Sequence, residues 1–306
     1  LVIAYLIWVE RKVMAHMQVR LGPMRVGWHG LLQPIADGLK LILKEDIIPA
    51  NASKILFVLS PAIAMVPALL AIAVIPFGDT ISIMGVSIDM VITDVNIGIL
   101  FILAVSSVGV YGILLAGWSS NNKYSLLGGL RSSAQMISYE LSMGLSLIGV
   151  IMMTESLSLV DTVNAQANLW FVVLQPVAFV VYAISAIAET NRCPFDLPEA
   201  ETELVSGFHT EYSSMKFALF FMAEYANIIT VSAVGVTFFL GGWRGPFLPP
   251  VVWFLIKMAM CIFFFVWLRS TFPRFRIDQL MKFAWKVLLP VAVVNVLITG
   301  IVMSLL

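Results

Sequence analysis

Apolar residues are gathered along this chain into runs of about 20 residues, the length a helix needs to cross a bilayer. The runs lie near 60–78, 97–117, 134–154, 170–188, 215–240, 249–268 and 285–305, and each predicts a transmembrane helix. An eighth run, LVIAYLIWV, stops at Glu10 after nine residues, too few to cross, so the outer half of that span is expected to precede this sequence. The expected fold is an all-α polytopic membrane protein with eight transmembrane helices, the first truncated, plus an amphipathic surface helix and large cytoplasmic loops. Residues 1–306 form a single membrane domain.

Between the spans the pattern changes. The first cytoplasmic loop, 10–54, opens irregularly, with Gly22, Pro23, Gly27 and Gly30 in VRLGPMRVGWHG. Leu31, Leu32, Ile35, Leu39, Ile42 and Leu43 then recur at helical spacing, with Gln33, Asp37, Lys40 and Lys44 on the other face. Such a helix lies along a membrane surface or packs on the bundle. Ser60-Pro61 reads as a cap and first helical residue opening the second span. Outside, ISIMGVSIDMVI predicts a short hairpin within a structural loop that holds Asp79, Asp89 and Asp94. Trp118 to Ser133 reads as a polar, turn-rich inner connection.

Composition sharpens this picture. The chain is 60% hydrophobic and only 12% charged, with 18 basic against 18 acidic residues, and its mean hydropathy is +0.97. Sixteen Lys and Arg fall on one side of the predicted spans and Arg244 alone on the other, with Lys257 inside a span. The positive side faces the cytoplasm or an equivalent organelle matrix. Cys193 and Cys261 lie far apart, and His16, His29 and His209 are isolated, so no metal, haem or nucleophile motif is visible. Electrons, if any pass, are carried by a partner.

Acidity is concentrated in the cytoplasmic loop 189–214, where Glu189, Asp196, Glu199, Glu201, Glu203 and Glu211 are opposed in the surrounding stretch only by Arg192 and Lys216. Asp196 and Glu199 read as a capping box, after which Glu199 and Glu203 share one helical face and Glu201 points away. Glu140 stands within the fourth span, where a carboxylate must face protein or water, be protonated, or pair with a cation such as Arg131. Glu224 is the most deeply placed carboxylate, about 13 Å along its helix from Met215 at about 1.5 Å per residue, and Lys257 is its expected opposite charge. Glu10, Glu140, Glu189 and Glu224 together form a candidate proton relay from the cytoplasmic face toward the bilayer centre. The basic cytoplasmic loop 269–284 owes its charge to topology rather than to nucleic acid; Phe272, Arg274, Phe275 and Arg276 are expected to meet a docked protein or lipid headgroups.

From end to end the chain resembles the quinone-site membrane subunit family of respiratory complex I, which comprises the H subunit of bacterial NADH-quinone oxidoreductase and mitochondrial subunit 1. The resemblance rests on WVERKVMAHMQVRLGPMRVG, QPIADGLKLILKED, LRSSAQMISYELSMG, AETNRCPFDLPEAETELVSGFHTEYSSMKFALFFMAEYAN and RSTFPRFRIDQLMKFAWK. It implies a subunit of a proton-translocating enzyme that holds no redox centre itself, with quinone as substrate and iron-sulfur clusters and FMN in partner subunits. Arg11, Arg20, Arg25 and Asp37 would border the quinone passage. Glu140, Glu189, Glu199, Glu201, Glu203 and Glu224 would form an acidic funnel. The implied partners are the peripheral-arm quinone-site and iron-sulfur subunits, the antiporter-like and small membrane subunits, and membrane lipid. The implied location is the bacterial inner membrane, or an organellar inner membrane. Competing readings are the homologous subunit of a group 4 hydrogenase or formate hydrogenlyase, a free-standing ion transporter, and a structural anchor.

Overall fold

A computed structural model describes residues 2–83, 86–88, 90–196 and 205–305. The chain forms helices α1 (Val2–Met17), α2 (Gln33–Leu43) and α3 (Lys54–Ile72), then strands β1 (Ile81–Ile83) and β2 (Val86–Ile88). There follow α4 (Gly98–Ser119), α5 (Lys123–Thr154), α6 (Leu159–Ala165), α7 (Phe171–Leu174), α8 (Pro176–Glu189) and α9 (Ser214–Phe239). Last come α10 (Pro250–Thr271), α11 (Ile277–Phe283) and α12 (Leu289–Leu305), the last two joined by a π-helical turn over Ala284–Leu288. Among the described residues six helices are long and apolar enough to cross a membrane: α3, α4, α5, α9, α10 and the continuous Ile277–Leu305. The chain is therefore a multi-pass helical membrane protein. The expected hairpin is present, with β1 and β2 antiparallel and Ser82 opposite Ser87.

Helix α9 is the central element. Its Ala226, Ala233, Val236, Phe238 and Phe239 are wholly buried, and it packs on α1, α2, α3, α6, α8 and α10. Since lipid tails are as apolar as leucine, helices here gain from close backbone approach rather than from leaving water. Gly112 of α4 supplies such an approach: a Cβ there would lie 2.6 Å from the Ala64 backbone nitrogen of α3. Several serine hydroxyls satisfy themselves within their own helices: Ser60 Oγ donates to the Leu56 carbonyl at 2.6 Å and Ser133 Oγ to that of Gly129 at 2.6 Å.

Several boundaries depart from the sequence reading. Helix α3 begins at Lys54, upstream of Ser60-Pro61, and carries Pro61 and Pro67 in its interior. Surrounding helices and a lipid environment that penalises any open backbone group keep it helical through both prolines. Helix α1 runs on through Glu10 to Met17, because ERKVMAHM is made of good helix formers. The connection expected over 118–133 shrinks to Ser120–Asn122: Asn122 caps α5 by accepting from the Tyr124 backbone N–H at 2.9 Å. Gly128 does not break that helix, since a Cβ there would lie 2.7 Å from Gly207 Cα; packing overrides its low propensity. The run near 170–188 is interrupted, with α7 ending before Gln175 and Pro176 opening α8. Gln175 is held there by Thr299 Oγ1 at 2.8 Å and Asn295 Nδ2 at 2.9 Å, both on α12.

Lys257 does not meet Glu224. Its ammonium donates to the carbonyls of Leu240 at 2.6 Å, Gly242 at 3.0 Å and Arg244 at 2.7 Å, under the ring of Trp170 at 4.3 Å. The carbonyls at and just beyond the end of α9 need donors that the helix cannot give them, and Lys257 is the cation within reach. Replacing it with Met strands three acceptors; thermal denaturation of the detergent-solubilised protein should show a loss of about 2–4 kcal/mol.

Candidate functional site

The turn that follows α8 is the hub of the inner half of the molecule. Gln135 of α5, only 1% exposed, holds it through Nε2, which donates to the carbonyls of Ala188 at 2.7 Å and Phe195 at 2.8 Å. From the other side Arg274 bonds Asp196 at 3.0 Å, and the Phe275 N–H donates to the Pro194 carbonyl at 3.1 Å. So gripped, the turn projects Arg192 inward between α1, α9 and α10.

Arg192 is buried with 5% of its surface exposed. Its Nη1 donates to Glu10 Oε1 at 3.1 Å, its Nε lies 2.5 Å from Glu224 Oε1, and its guanidinium carbon sits 4.5 Å from the Tyr225 ring centre. Tyr225 borders the same small space as Glu10, Arg192 and Arg269. Arg269 of α10 reaches the same Glu10 oxygen. Two guanidiniums and two carboxylates thus form a charge-balanced cluster contributed by three helices and one turn. Burial works against the charge of Arg192, but Glu224, Tyr225 and Glu10 outweigh it and hold its pKa above the ordinary arginine value.

A second acidic group lies beside the first. Glu189, 8% exposed, borders a cavity of about 40 Å³ together with Asn191, His209, Glu224 and Asn227. A smaller space, bounded by Glu189, Asn227, Ser106, Tyr182 and Thr230, continues it toward α4 and α5. There Glu140 accepts a short hydrogen bond from Ser107, rather than pairing with Arg131, and lies close enough to Glu189 for the two charges to interact. Glu189 Oε2 has no protein partner among the described residues. A cavity of this size holds a few waters, which such an oxygen requires. The order through the protein is Glu10, Arg192, Glu224, Glu189, Glu140.

The remaining candidates lie apart from this line. Arg11 bonds Asp37 at 2.7 Å, and Gln33 also donates to Asp37 at 2.9 Å, tying the end of α1 to α2. Arg20 and Arg25 are exposed on the stretch between those helices. Glu199, Glu201 and Glu203, and with them the predicted capping box, fall outside the described residues. Glu211 accepts from Asn122 at 2.6 Å. Burial and the nearby charge of Asp196 push the Cys193 thiol above its ordinary pKa, which makes it a poor nucleophile. Among the described residues no group of three or more His, Cys, Asp or Glu is placed to hold a metal ion.

Sequence reasoning missed the two arginines as site residues, having counted both for topology and Arg192 as a cation opposing the acidic loop. Glu224, Tyr225 and Asn227, all within one turn of an apolar helix, are the readable signal that a polar face enters the bilayer there.

Comparison with known proteins agrees along the whole chain. A family model described as NADH dehydrogenase matches residues 1–300. The NADH-quinone oxidoreductase H subunit 1 of Geobacter sulfurreducens is 60% identical over 318 residues, covering 100% of this chain and 91% of that protein. The H subunit 2 of Geobacter metallireducens is also 60% identical, covering 100% of this chain and 92% of that protein. The NADH-quinone oxidoreductase H subunit of Thermomicrobium roseum is 54% identical, covering 98% and 91%.

Removing one member of a buried ion cluster leaves an uncompensated charge and costs about 3–5 kcal/mol. Arg192→Met should destabilise the protein by that order, whereas Arg269→Met, at a side chain 32% exposed, should cost clearly less. Parallel thermal denaturation of the two variants checks the ranking.

Proposed function

This chain belongs to the H-subunit family of NADH-quinone oxidoreductase and so is one membrane component of that multi-subunit enzyme. From that premise we propose that it forms much of the quinone-binding chamber together with the peripheral arm, and that it couples quinone reduction to proton translocation through an acidic funnel. The observation that carries this reading is the line Glu10, Arg192, Glu224, Glu189 and Glu140, buried or partly buried, with water-sized cavities at Glu224 and Glu189.

In this reading eight helical crossings complete the fold: the six long ones, α1, and α7 with α8 acting as one broken crossing. Helix α2 lies at the membrane surface. Leu32, which precedes it, and its Ile35, Leu39, Ile42 and Leu43 are each at least half exposed, the apolar face such a placement buries. Arg11, Arg20, Arg25 and Asp37 border the quinone passage next to it. The cations of the inner face orient the chain with its large loops in the cytoplasm of a bacterial cell whose inner membrane it crosses. The peripheral arm supplies iron-sulfur clusters and FMN for the electron chemistry, and antiporter-like and small membrane subunits take up the proton line beyond Glu140.

Coupling then works through charge. A unit of negative charge arising on the quinone about 10 Å from a carboxylate, at an effective dielectric near 20, interacts by roughly 1.7 kcal/mol, slightly more than one pKa unit. Glu10 and Glu224 share Arg192, so a proton arriving on one frees the guanidinium for the other. Glu199, Glu201 and Glu203 deliver protons to this point from the cytoplasmic side.

Two substitutions test the proposal in the assembled complex. Glu189→Gln keeps size and removes the ionisable proton; coupled turnover with proton pumping in sealed vesicles should fall about tenfold, equivalent to about 1.4 kcal/mol on the barrier. Undiminished pumping would remove Glu189 from the relay. Arg20→Gln should raise the KM for a short-chain quinone while leaving electron transfer from NADH to ferricyanide unchanged. An unaltered KM would take Arg20 out of the passage.

A further inference from the structure

Helix α10 packs on α1 and α9 along one side and leaves its other side open. Its outer end is held by Lys257. At its inner end Arg269 reaches Glu10, and the Cys193 thiol donates to the Phe272 carbonyl at 3.4 Å. In between, a cleft of about 1090 Å³ opens among α8, α9, α10 and α11. Tyr182 and Ile184 of α8, Val231 and Gly235 of α9, and Phe264 and Phe265 of α10 form its walls. It extends from Leu240 at the outer end of α9 to Phe275 beyond the inner end of α10, so it runs through the depth of the spans.

A space this large and this apolar must be filled, since atoms lining a void forfeit their dispersion contacts. Its inner mouth shows what fills it. Gln279, Leu280 and Phe283 of α11 line the cleft, as does Phe275 before the helix, and Arg276, the extended residue at the N-terminus of α11, stands between Phe275 and Gln279 in the chain. The Arg276 side chain is 80% exposed and makes only a long contact of 3.6 Å with Asp278. Lys282 and Lys286 on the same segment are also exposed, giving three cations against the single carboxylate of Asp278. Arg274 is already committed to Asp196. Trp267 and Trp285, each about half exposed, mark the level of the membrane interface.

We propose that this cleft is a binding site for one anionic phospholipid, its acyl chains between α10 and α8 and its phosphate at Arg276 and Lys282. The lipid buttresses α10 on the side that the protein leaves open, and so holds Arg269 against Glu10. This goes beyond the quinone passage, which lies by α1 and α2.

The test uses the intact enzyme complex in detergent with photoreactive diazirine-bearing acyl chains on phosphatidylglycerol and, in parallel, on phosphatidylcholine. Peptide mapping should place the label on the cleft-facing residues of α10 and α11, with phosphatidylglycerol favoured. The double variant R276Q/K282Q, altered only at exposed side chains, should lower that preference by about fivefold for each cation removed. Ala183→Phe, which fills the cleft from α8, should remove the label from both lipids. Equal labelling by the two lipids, or labelling unchanged in R276Q/K282Q, would reduce the cleft to ordinary annular lipid and overturn the proposal. Competition by a polyprenyl quinone would instead assign the cleft to quinone. A disulfide from Met260→Cys to a partner subunit would assign it to a protein helix, and either result overturns the proposal as well.

Discussion

One guanidinium shared between two carboxylates, in a place that water hardly reaches, governs the inner half of this protein. A buried charge is tolerable only when it is paired. Arg192 therefore needs Glu10 from α1, Glu224 from α9 and Tyr225 beside it, all at once. The demand fixes the turn after α8, which Gln135, Arg274 and the Phe275 backbone hold in place. It also brings α10 inward, because the second charge on Glu10 belongs to Arg269. A bundle whose apolar surfaces are nearly indistinguishable from lipid acquires its specific arrangement from such polar contacts.

The acids beyond this cluster are held differently, and the difference bears on function. Among the described residues Glu140 and Glu189 form no ion pair: one is bonded to Ser107 and the other borders cavities. A carboxyl without a cation at membrane depth is either protonated or solvated by nearby water, and either condition allows it to exchange a proton. Glu10 and Glu224, by contrast, are locked to arginines. The line thus passes from a charge-balanced end to an end whose carboxyls form no ion pair among the described residues.

How much of this was readable in the sequence follows from the range of each interaction. Hydropathy located the long crossings because a span is a property of about 20 consecutive residues. It placed the starts of α3 and α5 too late, since prolines and glycines that stop a helix in water are carried through it by neighbouring helices in lipid. Placing Glu10, Glu140, Glu189 and Glu224 in one candidate set needed only their depth. Their partners were another matter, because Arg192 lies 182 positions from Glu10 and Arg269 lies 259 positions away. The family resemblance supplied the function, which no local pattern does, and the comparisons place the chain in that family.

Lys257 shows why the identity of a buried cation's partner matters more than its depth. Matching charge to charge assigned it to Glu224, yet it lies against three backbone carbonyls at the opposite end of α9. Carbonyls are fixed dipoles that take no proton, so an ammonium bound to them is a clamp whose charge has no exchange partner. Arg192 sits between groups that can change charge, and each change at Glu10 or Glu224 alters the balance of its two contacts. Both cations are buried to the same 5% exposure. Only the one set among carboxylates lies beside side chains whose charge can change.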